Sequence, residues 1–144
     1  MKTAPTMPGC RLEEWLFACP PWVRRGICAA HLAVIAVLSL APAWLFPPSP
    51  PGLPGIDKVV HVGLYGVLGA LLRWAAGAWG ERRAALALPA AGALYGLLLE
   101  LLQPWLGGAG RAFSWGDAAA NLAGVGLFWV AAGRFLGREK SPFR

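Results

Sequence analysis

Charged side chains are scarce in this 144-residue chain. Asp, Glu, Lys and Arg make up 14% of the residues, whereas 57% are hydrophobic. A soluble domain carries about 25% charged residues, so the deficit argues against a soluble fold and favours a membrane protein. The length is sufficient for one domain, but it is too short for a set of membrane helices plus a folded soluble module.

Patterns that would assign a chemistry directly are also missing. The sequence contains no Walker loop, no HExxH motif and no recognisable context for a Ser or Cys nucleophile. Cys10, Cys19 and Cys28 match no metal-binding spacing, and we expect reduced thiols rather than a disulfide framework. Residues 1–26 lack the basic region and apolar run of a signal peptide. We therefore assign them to a cytoplasmic or interfacial segment.

Long apolar runs dominate the rest of the chain. Four segments reach the roughly 20 mostly apolar residues that a bilayer crossing requires, at 27–46, 57–79, 84–106 and 117–136. Pro42 is expected to kink the first span near its end. The sequence predicts an all-α integral membrane protein, with a four-helix bundle over 27–136 and a basic cytoplasmic tail over 137–144.

The basic residues predict the orientation of this bundle. With both termini on one side, that side carries all of the 13 Lys and Arg residues except Lys58 and Arg111. The positive-inside rule then places both termini in the cytoplasm. The net charge of +6 is explained by orientation and by attraction to anionic lipid heads. No basic stripe indicates nucleic-acid binding.

Polar side chains of the last three predicted spans fall at one depth. The second and fourth spans run inward and carry their polar residues first, whereas the third runs outward and carries them last. The inner halves of these spans hold no acidic or amide side chain. We therefore predict a shared polar site near the outer surface. Its expected binding residues are Asp57, Lys58, His61, Tyr65, Glu100, Gln103, Arg111, Ser114, Asp117 and Asn121.

Glu100 is the member of this set that neither helix capping nor solubility explains. It lies near the C-terminus of its helix, where the macrodipole disfavours an anion, and leucines flank it on both sides. Ionisable groups inside a membrane are costly and usually functional. Glu100 is expected to need a cationic partner, and the candidates are Lys58, His61 and, preferred among them, Arg111.

Other members of the set have simpler structural interpretations. Asp57 is a possible N-cap of the second span. Ser114 and Asp117 have the spacing of a capping box, with Asp in place of Glu. Tyr65 lies deepest and is open to a packing role, and Arg111 is open to a role as a loop cation that meets lipid headgroups.

The same residues resemble the pattern of the VanZ-like family of small bacterial membrane proteins. The resemblance covers about residues 56–130 and rests on the ordered segments DKVVHVGLYGVLGALL, LYGLLLELLQ and GRAFSWGDAAANLAGVG. It implies a four-helix membrane protein of bacteria. It also implies an association with resistance to glycopeptides of the teicoplanin type, which carry a lipid tail and act at the outer leaflet.

Two classes of function follow from these observations. In the first, the outer site binds the headgroup of a lipid or of a lipid-linked cell-wall precursor, or a lipoglycopeptide. In the second, the chain is a membrane-embedded hydrolase or transferase, with His61, Glu100 and Asp117 as catalytic candidates for acid–base chemistry. The carboxylate and amide oxygens also permit a divalent cation, although the sequence requires no cofactor. The oligomeric state is left open.

Overall fold

A computed structural model of the chain describes residues 16, 18–46, 55–76, 81–108 and 110–137, and for 81–85 and 137 only the backbone. Within these ranges the chain is helical, with no β-strand. The N-terminal residues 1–15, with Cys10, and the tail residues 138–144 lie outside the described residues. The helices are α1 (Pro21–Leu40), a short 3-10 helix (Ala43–Leu45), α2 (Ile56–Ala75), α3 (Glu81–Leu106) and α4 (Trp115–Gly137).

Three of the described helices are long and apolar enough to cross a membrane. They are Pro21–Leu40, Leu86–Leu106 within α3 and Trp115–Leu136 within α4. This confirms the predicted all-α class and supports the prediction of a membrane protein. Helix α2 has the same length as α1, but Asp57, Lys58 and Arg73 near its two ends lower its apolar character. Its place as a fourth span stays a prediction.

Helix α1 begins and ends earlier than the predicted span 27–46. Pro20 and Pro21 open it, because a proline in the first turn lacks only an N–H that has no partner within the helix. It ends at Leu40, where Ala41 has an extended backbone (φ −66°, ψ 141°). Pro42 disfavours helical backbone at the residue before it. The proline therefore terminates the helix, and the predicted kink does not form.

The other helices start near the predicted positions. Helix α2 follows Gly55, whose positive φ of 86° suits a residue without a Cβ. Helix α3 begins at Glu81 rather than at the predicted 84. Helix α4 begins at Trp115, and the hydroxyl of Ser114 accepts the backbone N–H of Asp117 at 3.2 Å. The expected cap at Ser114 is therefore present, whereas Asp57 lies inside α2 rather than at its N-cap.

Glycines bring α2 and α4 into the closest helix contact of the bundle. A Cβ at Gly69 would lie 2.3 Å from the carbonyl oxygen of Val125, and one at Gly124 would lie 2.6 Å from that of Val62. Only residues without a side chain allow such a backbone approach. This contact aligns the first turns of α2 with the first turns of α4.

Polar side chains that bond to backbone carbonyls help to hold helix α1 to the other helices. The Tyr95 hydroxyl in α3 donates to the Leu32 carbonyl at 2.8 Å. His31 Nε2 lies 3.0 Å from the Leu64 carbonyl in α2. Ile35, Tyr65 and Val125 are buried in the core that these contacts surround.

Candidate functional site

The first turns of α2 and α4 and the last turns of α3 meet at one end of the bundle, which we call the polar end. Parallel alignment of α2 with α4 and the opposite direction of α3 place their polar residues at a single level. The polar end consists of Asp57, Lys58, His61, Glu100, Gln103, Asp117 and Asn121. These predicted site residues are therefore brought together by three helices.

His61 lies at the centre of the polar end and connects α2 to the other two helices. Its Nδ1 is 2.9 Å from Asn121 Oδ1 in α4 and 3.8 Å from Glu100 Oε1 in α3. The amide oxygen only accepts hydrogen bonds, so Nδ1–H donates to Asn121. The ring is therefore held in one orientation, and Nε2 remains as its second functional atom.

Glu100 is the most buried ionisable group of the site, with 1% of its side chain exposed. Gln103 Nε2 donates to Glu100 Oε1 at 3.1 Å. Among the residues that the structure describes, neither Glu100 Oε2 nor Asn121 Nδ2, both buried, has a hydrogen bond of normal geometry. A buried polar atom without a partner costs roughly 1–3 kcal/mol. One acceptor and one donor at the polar end are thus not satisfied by the protein's own groups.

Exposure rises steadily from Glu100 toward one side of the site. The side chains of His61 and Asp117 are 16% and 15% exposed, whereas Asp57 and Lys58 are close to half exposed. Lys58 Nζ lies 2.8 Å from Asp57 and 3.3 Å from Asp117. The site therefore has an exposed rim at the start of α2 and a buried floor in α3.

Arg111 does not form the expected ion pair with Glu100. Its Nε donates to the Ala41 carbonyl at 2.9 Å and its Nη2 to the Leu38 carbonyl at 3.1 Å, and its guanidinium lies 4.9 Å from the centre of the Phe46 ring. Arg111 thus caps the C-terminus of α1, where carbonyls lack helical partners and the dipole attracts a cation. The charge that faces Glu100 is that of His61 when His61 is protonated.

Tyr65 lies one turn below His61 and forms the wall between the polar end and the core. The two rings are parallel within 4°, with centroids 6.5 Å apart, and Tyr65 is buried. Ser39 of α1 lies beside its hydroxyl. Tyr65 thus has the packing contacts of a core residue, whereas Ser114 is occupied as the cap of α4.

Gly96 of α3 is a residue of the site that the sequence analysis did not assign to it. A Cβ at Gly96 would lie 2.8 Å from the Tyr65 ring and 3.0 Å from Asn121 Cβ. The absence of a side chain here lets Tyr65 and Asn121 approach α3. The sequence LYGLLLE held a signal for this role, since Tyr95 stands next to Gly96. A small residue beside a large one often makes room for a side chain from a facing helix.

The arrangement combines a proton-transfer group with a set of metal-ligating atoms. His61, Glu100 and Asp117 each offer one ligand atom, and these atoms lie within 4.8 Å of one another. Exposed aromatic side chains, Trp105 and Trp115, flank the same end of the bundle, as expected of residues at a membrane–water interface. The polar end thus combines buried polar atoms with exposed aromatic side chains.

Comparison with known proteins assigns no relative. No family model matches the chain, and no curated protein or solved structure matches it either. The resemblance to the VanZ-like family therefore stays a prediction from the residues quoted above.

Proposed function

We propose that this chain is a bacterial membrane protein of VanZ-like type whose polar end, on the extracytoplasmic side, binds the headgroup of a lipid or of a lipid-linked cell-wall precursor. Its expected role is in glycopeptide resistance of the teicoplanin type or in maintenance of the cell envelope. The bundle spans the cell membrane four times in this proposal, with both termini in the cytoplasm.

The observation that carries the proposal is the pair of buried polar atoms without partners at the floor of the site. Glu100 Oε2 can accept a hydrogen bond and Asn121 Nδ2 can donate one. Both residues contact His61, which is partly open to the outside. A headgroup that carries donors and phosphate oxygens would satisfy both atoms, and Lys58 at the rim would meet its negative charge.

The polyprenyl diphosphate class supplies a direct test of headgroup binding. The purified full-length chain in detergent is titrated with farnesyl diphosphate and, as the matched ligand, farnesol, with Trp fluorescence as the readout. We expect saturable binding of the diphosphate only. Lys58→Gln should weaken it roughly 10-fold, the worth of one charge-assisted hydrogen bond, whereas Arg73→Gln, at the opposite end of α2, should not. Equal binding of both ligands would contradict the proposal.

Orientation is tested by cysteine labelling of intact cells in a cysteine-free background. Ala112→Cys lies in the exposed loop before α4, and Arg134→Cys lies in the exposed last turns of α4. An impermeant thiol reagent should label the first variant, and it should label the second only after the cells are permeabilised. The reverse pattern would move the polar end to the cytoplasmic side and refute the proposed location.

A membrane-embedded hydrolase or transferase is the second candidate. It is favoured by the contacts of His61, which is oriented by Asn121 and has a carboxylate oxygen of Glu100 at 3.8 Å. Such a histidine can act as a general acid or base. Incubation of the protein with a labelled lipid diphosphate decides between the two candidates, since release of labelled product that is lost in His61→Gln would show an enzyme.

A further inference from the structure

We infer that His61, Glu100 and Asp117 form a binding site for a divalent cation of the Mn²⁺ or Zn²⁺ type. The inference deepens the proposed function and rests on it in one respect: the bound cation would meet the phosphate of the headgroup. The metal site itself is argued from this chain's own residues. Each of the three ligands comes from a different helix.

The ligand atoms lie close enough for a common ion. One nitrogen of His61 and one carboxylate oxygen each of Glu100 and Asp117 lie within 4.8 Å of one another. Bond lengths of about 2.0–2.2 Å to nitrogen and oxygen limit two ligands of one ion to a separation of about 4.2 Å. Small shifts of side chains that are already adjacent would therefore complete the site.

The buried oxygen of Glu100 distinguishes this site from an ordinary acidic surface patch. Surface carboxylates have water as a partner, but Glu100 Oε2 is buried and has no hydrogen bond of normal geometry among the described residues, although the Ser114 backbone lies near the carboxylate. Burial of an unpaired carboxylate is among the most unfavourable arrangements in a protein, and pairing or metal coordination is the usual remedy. The Oε1 atom already accepts from Gln103, so Oε2 is the atom left for a metal.

The groups around the ligands have the arrangement typical of a metal site. Metal-bound histidines almost always donate their second ring N–H to an oxygen, which fixes the tautomer. His61 donates Nδ1–H to Asn121 Oδ1, which leaves Nε2 as the nitrogen with a lone pair for a metal. Nδ1 is the nitrogen that faces Glu100, 3.8 Å from Oε1, so coordination through Nε2 would require the ring to move toward the carboxylates. Glu100 receives the corresponding support from Gln103. Both supporting side chains are buried.

Charge balance gives the cation its role in headgroup binding. The polar end carries the carboxylates of Asp57, Glu100 and Asp117 and the ammonium of Lys58. Arg111 is bound to the end of α1 and supplies no contact to Glu100. Lys58 alone does not offset the charge of three ionised carboxylates. A divalent cation would offset the surplus of negative charge and provide open coordination positions for phosphate oxygens.

The donor set selects among the divalent ions. Mg²⁺ and Ca²⁺ prefer oxygen ligands alone, whereas an imidazole beside carboxylates suits first-row ions such as Mn²⁺ and Zn²⁺. The two described cysteines, Cys19 and Cys28, are free thiols and do not belong to this cluster. We therefore expect first-row ions to bind more tightly than Mg²⁺ or Ca²⁺.

The experiment uses the full-length chain in detergent, stripped with EDTA and dialysed, without lipid. MnCl₂ is titrated while the electron paramagnetic resonance signal of free Mn²⁺ is followed, and ZnCl₂ is added as a competitor. Wild type should bind one Mn²⁺ per chain, and Zn²⁺ should displace it. Glu100→Gln, Asp117→Asn and His61→Gln should each lose saturable binding. Asn121→Ala should weaken binding about 10–100-fold, as expected for a side chain that orients a ligand.

The chain offers a matched control in His31, its only other histidine. His31 lies in α1 and bonds to the Leu64 carbonyl, so His31→Gln should bind Mn²⁺ like wild type. A melting curve with and without Mn²⁺ accompanies each titration. Bound metal should raise the melting temperature of wild type and His31→Gln but not that of the ligand variants. A ligand variant that does not fold is set aside, and the remaining two ligand variants decide.

The outcomes separate the metal site from the proposed function. Absence of saturable Mn²⁺ and Zn²⁺ binding, or equal binding by wild type and the ligand variants, would overturn the metal site. If farnesyl diphosphate still binds in EDTA, the cation has no role in headgroup binding, and the proposed function stays in place. Metal binding without any diphosphate binding would confirm the site and contradict the proposed function.

Discussion

The two ends of the helix bundle hold their charges in opposite ways. At the end away from the polar end, Arg73 lies over the Trp129 ring at 5.5 Å and Arg24 over the Trp74 ring at 5.6 Å. Each cation rests on an aromatic face. At the polar end, a carboxylate and an amide are buried with atoms that lack partners.

The difference indicates which charges serve the fold. The arginine–tryptophan contacts have a structural explanation, since each holds a cation against an aromatic ring near a helix end. The buried Glu100 has no such explanation, because a leucine at its position would avoid the cost of a buried anion. The arginine–tryptophan contacts therefore anchor the helices at one end of the bundle, and in our proposal the polar end binds a ligand.

The contact between α2 and α4 connects the two ends, and its disruption should have the largest effect on both. Gly69→Ala places a Cβ against the Val125 carbonyl, which cannot move without a shift of the helix. We expect a loss of about 3 kcal/mol in the free energy of unfolding, measured by denaturant titration in detergent. Gly63→Ala is the matched control, because nothing lies within 4 Å of a Cβ there. Equal stability of the two variants would contradict the close packing.

Arg111 should produce the next largest effect, and mainly on stability. Arg111→Gln removes two charge-assisted bonds to the end of α1, so the free energy of unfolding should fall by about 1.5–3 kcal/mol. Diphosphate affinity should fall less than in Lys58→Gln. A variant with unchanged stability and abolished binding would show that Arg111 contacts the ligand, as the sequence had suggested.

The anchoring end should show the smallest effect. Arg73→Gln removes the contact with Trp129 and should lower the free energy of unfolding by about 0.5–1 kcal/mol, with Mn²⁺ binding unchanged. Arg73→Lys retains a cation over the ring and should recover part of this loss. Reduced metal binding in Arg73→Gln would mean that the two ends are not independent.

The convergence of the polar residues was predictable because depth in a membrane follows directly from position along a helix. Helix direction and a rise of 1.5 Å per residue are sufficient to place His61, Glu100 and Asp117 at one level. The structure brings their ligand atoms within 4.8 Å. The family and the side of the membrane stay predictions.

His61, one of the three candidate partners of Glu100, lies beside it, but the choice among the candidates was not predictable, because it depends on the path of a loop. The preference for Arg111 followed from its position between the third and fourth spans. The structure directs the guanidinium to α1 instead, where the carbonyls of Leu38 and Ala41 have no helical partner. The end of α1 was itself placed too late, at 46, so these free carbonyls were not expected. The error in the end of α1 thus led to the wrong preference for Arg111 as the partner of Glu100.

The role of Glu100 is the central claim, and Glu100→Gln tests it most directly when melting temperature and binding are measured on the same preparation. Gln keeps the size of the side chain and removes a buried anion, so the melting temperature should stay the same or rise. Saturable binding of Mn²⁺ and of farnesyl diphosphate should be lost. A Glu100→Gln protein that binds both like wild type would contradict the account, because the carboxylate would then have no part in ligand binding.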